Sequence, residues 1–192
     1  MDRKNAILNA AVTLFAERGF NATPTSAVAS LAGVAEGLIF HYFKNKEGIF
    51  VHIIHDMINT YIEKVEAITK NARTGLEAIE DIIQFHFRFS EDRSNEFLVV
   101  IRDFPFDLMK PGLHTWEMIA ERNAHISTLM RKCIERGQND GSIRELPSEN
   151  AVFILRGMLN GISRSKLLGT LRMPELTSEV LDFCRKGLGK PN

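Results

Sequence analysis

The chain has only two cysteines, Cys133 and Cys184, in 192 residues. That is too few for a disulfide-stapled fold. With no long apolar leader in "MDRKNAILNA", the pair reads as buried thiols in a reducing cytosol. No apolar run approaches the roughly 18 residues that span a bilayer, so no membrane role is expected. Charge of one sign is missing too: 24 Lys and Arg balance 24 Asp and Glu. Any binding of a polyanion must therefore come from local arrangement rather than bulk attraction.

Catalytic signatures are also absent. There is no phosphate loop, GxSxG elbow or HExxH helix, and no carboxylate pair in a glycine-rich loop, so neither an enzyme nor a cofactor is expected. His52, His55 and Asp56 share one helical neighbourhood, while His114 and His125 stand elsewhere. Without a tight Cys/His cluster these read as ordinary histidines and no metal site is expected. Strand signals are scarce: "FLVVI" is rich in β-formers but short and isolated, and is read as helix.

The helical period is what the sequence does have. Ile7, Ala11, Leu14 and Phe15 fall on one helix face, and Gly19 is a natural stop. "NATPTS" reads as the next start, with Thr23 capping and Pro24 in the first helical position. That second helix ends at Gly33. A third runs from about Ala35 to Phe43, and Asn45 caps a fourth that keeps its period to about residue 70. Further helical runs are expected near 75–90, 95–103, 114–137, 148–168 and 175–186. "FPFDLMKPG", the Asp-Gly turn in "GQNDGSIRELP", and "GTLRMPE" separate them. The fold class is all-α.

Two short helices joined by the tight turn "LAGVAE" have the layout of a helix-turn-helix, whose second member lies in the DNA major groove. The layout alone is common. The composite "LFAERGF", "VASLAGVAEG" and "HYFKNKE", between about Lys4 and Val51, is far more specific and resembles the DNA-binding domain of the TetR family of bacterial transcriptional repressors. "CIERGQNDGSIRELPSENAVFILRGMLNGI" also resembles the family's C-terminal half, whereas residues 71–130 carry no such likeness. The resemblance implies a three-helix reading head over residues 1–46 and a larger helical effector-binding and dimerisation domain over 47–192. It implies a ligand-responsive homodimeric repressor of a palindromic double-stranded operator.

On that reading Ile39 and Phe43 face inward, while Glu36, Gly37, Leu38, His41 and Tyr42 form the outer face of the third helix. Thr25 and Ser26 offer hydroxyls at the start of the second helix, and Lys46 adds a cation for a phosphate. Phe40 departs from the family, which usually has a tyrosine there to reach a phosphate; Pro24 replaces a frequent Thr or Ser. Residues 1–46 hold five basic against three acidic residues, so affinity requires two heads acting together.

In the larger domain Gly157 and Gly161, four apart inside a helix, are expected at a close helix crossing in the dimer, with packing inside one chain as the alternative. The aromatic and Met-rich middle suggests a pocket for an apolar or amphipathic small molecule, bordered by Phe85, Phe89, Phe104 and Trp116, with His86, Arg102 and Arg122 to orient it. A metal- or redox-responsive regulator, or a helical interaction module that does not bind DNA, are the alternatives.

Overall fold

The computed structural model describes residues 2–102, Lys110, 112–170 and 176–190. Among them the chain forms nine helices: α1 Arg3–Arg18, α2 Thr25–Ala32, α3 Gly37–Phe43, α4 Lys46–Asn71, α5 Gly75–Asp92, α6 Ser94–Arg102, α7 His114–Asp140, α8 Ser148–Leu167 and α9 Thr177–Leu188. "FLVVI" is indeed helix, as α6. The only extended pairing among the described residues is a single antiparallel bridge, Ile143 to Gly189.

The helices gather into two compact units, residues 1–59 with 93–119, and 60–92 with 120–192. Compactness therefore divides the chain differently from the division expected at residue 46. α4 and α7 each start in the first unit and end in the second.

The first unit is built on one face of α1. Ile7, Ala11, Leu14 and Phe15 are buried there, against Val28 and Ala29 of α2, Ile39 and Phe43 of α3, and Ile49, Phe50, Ile53 and Ile54 of α4. Val99 of α6 joins the same core. Phe20, in the loop after α1, meets Phe15 and Phe50 edge-to-face, each at 5.2 Å between ring centroids. Burying each such ring is worth about 1.5–3 kcal/mol.

One capping expectation is corrected. Thr23 does not cap α2. Its side chain is fully buried, and its hydroxyl donates to the Gly19 carbonyl at 2.8 Å, closing the end of α1 instead. Pro24 takes the cap position, with its carbonyl accepting from Ala27 N–H at 3.1 Å. Asn45 caps α4 as expected: its side-chain oxygen accepts from Gly48 N–H at 2.8 Å.

In the second unit α5 packs on α8 and α9. Ile79, Ile82, Ile83 and Phe87 of α5 are buried, as are Leu155 and Leu159 of α8 and Val180, Cys184 and Leu188 of α9. Asp140, the last residue of α7, accepts from the first N–H of α5 at Gly75, 2.8 Å away, so one helix end caps another. Both cysteines are buried thiols. Burial pushes each thiol up, that of Cys184 to about 11, which keeps them protonated and poor nucleophiles.

Candidate nucleic-acid interface and interior polar cluster

The chain bends by 102° between α2 and α3, inside the 90–120° range of a helix-turn-helix. Gly33 makes the turn, at φ +66°, a backbone conformation that costs a glycine nothing. α3 starts at Gly37, two residues later than the sequence suggests, because the turn runs on through Val34 and Ala35.

α3 has the two-sidedness its spacing implies. Ile39 and Phe43 are buried in the core, while Glu36, Gly37, Phe40, His41 and Tyr42 are exposed. Leu38 is half-buried against the core cluster rather than fully outward. The His41 and Tyr42 rings stand edge-to-face at 5.1 Å. Ser26 is exposed. The Thr25 hydroxyl donates to the Glu36 carboxylate at 2.6 Å, tying the start of α2 to the residue before α3.

Lys46 is half-buried and engaged within the unit. Its ammonium donates to the Phe20 carbonyl at 2.9 Å and to that of Asn21 at 3.5 Å, and lies 4.4 Å from the Phe20 ring centroid. An ammonium has three protons, so one remains for an outside acceptor. Lys44 is exposed at the end of α3 with φ +68°. The basic character of "FKNK" was its only sequence signal. Gly48 is a second residue whose role the sequence hid. A Cβ there would lie 1.9 Å from the Phe43 carbonyl oxygen, so a side chain is excluded where α4 docks on the end of α3.

His52, His55 and Asp56 do not converge: His52 meets the Gly48 carbonyl, His55 meets Asn59, and Asp56 pairs with Arg93. Among the described residues no group of three or more His, Cys, Asp or Glu is placed to hold a metal ion.

The residues expected around an effector are found in different places. Phe85 and Phe89 stack at 5.2 Å in the second unit, each against Tyr61 of α4, at 5.1 and 5.5 Å. Trp116 belongs to the first unit. Phe104 and the side chain of Arg102 lie outside the described residues, and Arg122 is half-buried on α7.

His86 is the centre of a buried polar relay that the sequence did not show. The Tyr61 hydroxyl lies 3.2 Å from its Nδ1, and the Ser163 hydroxyl lies 3.1 Å from its Nε2. Ser163 donates to Ser90 at 3.2 Å, and Ser90 donates to the Phe87 carbonyl at 2.8 Å. With the serine protons committed in that direction, Nε2 carries the His86 proton and Nδ1 accepts from Tyr61. Burial lowers the His86 pKa to about 4, against an opposing hydrogen bond to the Leu159 backbone and with the Arg156 charge as the smallest cause, so the ring is neutral at pH 7. Burial likewise raises that of Tyr61, against the opposing pull of Arg156. The histidine was visible in sequence. Its partners, 25 and 77 positions away, were not.

Gly157 and Gly161 are exposed on α8, and a Cβ at either would meet nothing within 4 Å. Among the described residues, therefore, close packing inside one chain is not what keeps them small. Around them Phe153 and Ile154 of α8 and Phe183 of α9 are 83%, 63% and 67% exposed.

Comparison with known proteins agrees with this geometry. The model of bacterial regulatory proteins of the tetR family matches residues 7–53, the span of α1 to the first turns of α4. The fatty acid metabolism regulator protein of Bacillus subtilis is 30% identical over 139 residues, covering 72% of this chain and 70% of that one. The transcriptional repressor KstR2 of Rhodococcus jostii is 27% identical over 192 residues, covering 99% and 93%. The crystal structure of FadR from Bacillus subtilis in complex with stearoyl-CoA superposes with a TM-score of 0.80 at 26% identity, over 95% of this chain and 98% of that one. With its bent helix pair, its two-sided α3 and relatives that extend well beyond the reading head, the chain belongs to the TetR family of transcriptional regulators and is not an enzyme.

Proposed function

We infer that the chain is a cytoplasmic, homodimeric repressor that binds a palindromic double-stranded operator and is released by an acyl thioester or similar amphipathic effector. The observation that carries the DNA part is α3, with Ile39 and Phe43 buried and Gly37, His41 and Tyr42 bare on the opposite side. His41 and Tyr42 meet base edges or phosphates, Gly37 lets the backbone approach the groove wall, and Leu38 packs beside thymine methyl groups. Glu36, steadied by Thr25, accepts from a cytosine amino group, and Ser26 donates to a phosphate. Lys46 gives its remaining proton to a phosphate. Residues 1–46 are then the head and 47–192 the responsive body.

The dimer reading is supported by the bare α8 and α9 surface at Phe153, Gly157, Gly161 and Phe183, which none of the described residues covers. Two-fold pairing of such a surface matches a two-fold operator. The effector reading is supported by the fatty acid regulator among the relatives and by the stearoyl-CoA in the solved FadR structure. In this chain the aromatic group Tyr61, Phe85 and Phe89 suits an acyl chain. Fluorescence anisotropy with the DNA upstream of the protein's own gene tests the reading. Nanomolar binding that palmitoyl-CoA weakens is expected; no binding to that DNA or to any selected duplex defeats it.

A further inference from the structure

Arg156 of α8 presents a physical problem. Its guanidinium is partly buried, and burial lowers its pKa. Nη1 donates to the Asn123 carbonyl at 2.8 Å and to the Ser127 hydroxyl at 2.5 Å, and Nη2 donates to the Asn123 side-chain oxygen at 2.6 Å. All three acceptors are neutral. Among the described residues no carboxylate lies within ion-pair distance of it. A sheltered cation without a counter-charge is costly, and such groups concentrate at binding sites.

Its remaining valences have a direction. Three of the five guanidinium N–H donors are used, which leaves the Nε–H and one Nη2–H. Those adjacent nitrogens form the fork that grips a carboxylate or phosphate through two parallel hydrogen bonds. Arg156 also lines a groove of about 660 Å³ between α7 and α8, with Thr128, Arg131, Glu149, Val152 and Asn160. The other groove cation, Arg131, already pairs with Glu135 at 2.9 Å. Glu149 is exposed. Arg156 is thus the cation of this groove that the protein leaves unneutralised.

We propose that the α7–α8 groove is an oxyanion-binding site in which Arg156 grips a carboxylate or phosphate oxygen of a small-molecule ligand, beside the Asn160 amide. This rests on the reading of the chain as effector-responsive and adds the chemistry of the ligand's polar end. Phe153 and Gly157 line the same groove and belong to the bare α8 face, so an occupied site touches the surface proposed for pairing.

The test is calorimetric titration of the full chain and of Arg156→Gln and Arg156→Lys with laurate, coenzyme A and the neutral control 1-dodecanol. Arg156→Gln is expected to weaken at least one anionic probe by at least about tenfold and leave dodecanol unchanged, with Arg156→Lys between. Loss confined to laurate assigns a carboxylate; loss confined to coenzyme A assigns a phosphate. The unliganded Arg156→Gln protein is expected to melt no lower than wild type, because an uncompensated charge has been removed. Should it fail to fold, Thr128→Asp supplies a counter-charge in the groove and is expected to exclude the same probes. The inference is overturned if neither anionic probe binds wild type, if Arg156→Gln binds both as wild type does, or if dodecanol binding falls equally. If dodecanoyl-CoA releases operator from Arg156→Gln as fully as from wild type, the acyl-effector reading stands and this site falls. If dodecanoyl-CoA has no effect on wild type while the anionic probes still depend on Arg156, the reverse holds.

Discussion

The Thr25 hydroxyl donates to the Glu36 carboxylate across 2.6 Å, joining the first residue of α2 to the residue that precedes α3. The bond ties the two helices of the helix-turn-helix together at their facing starts. It also gives the Glu36 carboxylate a hydrogen-bond donor on the face proposed for DNA. Thr25→Val leaves Glu36 without that donor, and operator affinity is expected to fall about fivefold, while Thr25→Ser retains it. Equal affinity of Thr25→Val and wild type in an anisotropy titration would show that the pair sets nothing at the DNA.

Lys46 is asked to do two things that one experiment separates. Lys46→Met removes the bonds to the Phe20 and Asn21 carbonyls, and urea unfolding should show a loss of about 1 kcal/mol. If Lys46 also reaches a phosphate, the slope of log affinity against log salt becomes shallower by about 0.9 for each such contact. A stability loss with an unchanged slope would make it an internal clasp alone.

Gly48→Ala is expected to be among the most damaging single changes in the first unit. Its Cβ would stand 1.9 Å from a backbone oxygen that cannot move without shifting the end of α3. A loss of about 3 kcal/mol or more is expected in urea unfolding, together with loss of operator binding. Gly157→Ala meets nothing among the described residues and is the matched control for stability of the fold.

The α8 glycines make their own prediction. Gly157→Leu and Gly161→Leu are expected to yield monomers in analytical ultracentrifugation, with helical content by circular dichroism unchanged. A wild-type protein that sediments as a monomer at micromolar concentration would end the dimer reading.

His86 predicts a pH dependence. Its pKa in the folded chain, about 4, lies below the ordinary 6.5. A lowered histidine pKa means that the unfolded state binds the proton more readily. The folded state therefore keeps the full contribution above about pH 6.5 and loses it as pH falls through 4, by roughly 3 kcal/mol in all. Arg156 and Tyr61 are the ionisable groups that act on this ring, and neither titrates in that window. His86→Gln, which retains a donor and an acceptor, is expected to flatten the stability profile between pH 6.5 and 4.

The helices and the reading head were legible because their causes are local. The spacing of Ile39 and Phe43, the stop at Gly33 and the Asn45 cap are each written within a few residues. Thr23 shows the limit even there. Its sequence neighbours suggest a cap, but the nearest carbonyls in space are those at the end of α1. The relay from Tyr61 to Ser90 and the clasp of Arg156 on Asn123 join residues that only the packing of four helices brings together. A lone tyrosine, serine or arginine in a helical sequence carries no mark of such a partner.

If the bare side chains of Phe153, Ile154 and Phe183 are covered in solution, the melting point of this protein is a property of the solution as much as of the chain. Whatever shields that surface binds the folded state and not the unfolded one, so its stabilisation grows with the logarithm of its concentration. If the shield is a second copy, diluting the protein is itself a denaturing step. A repressor made at a few copies per cell would then sit nearer its unfolding threshold than the same chain in a concentrated preparation.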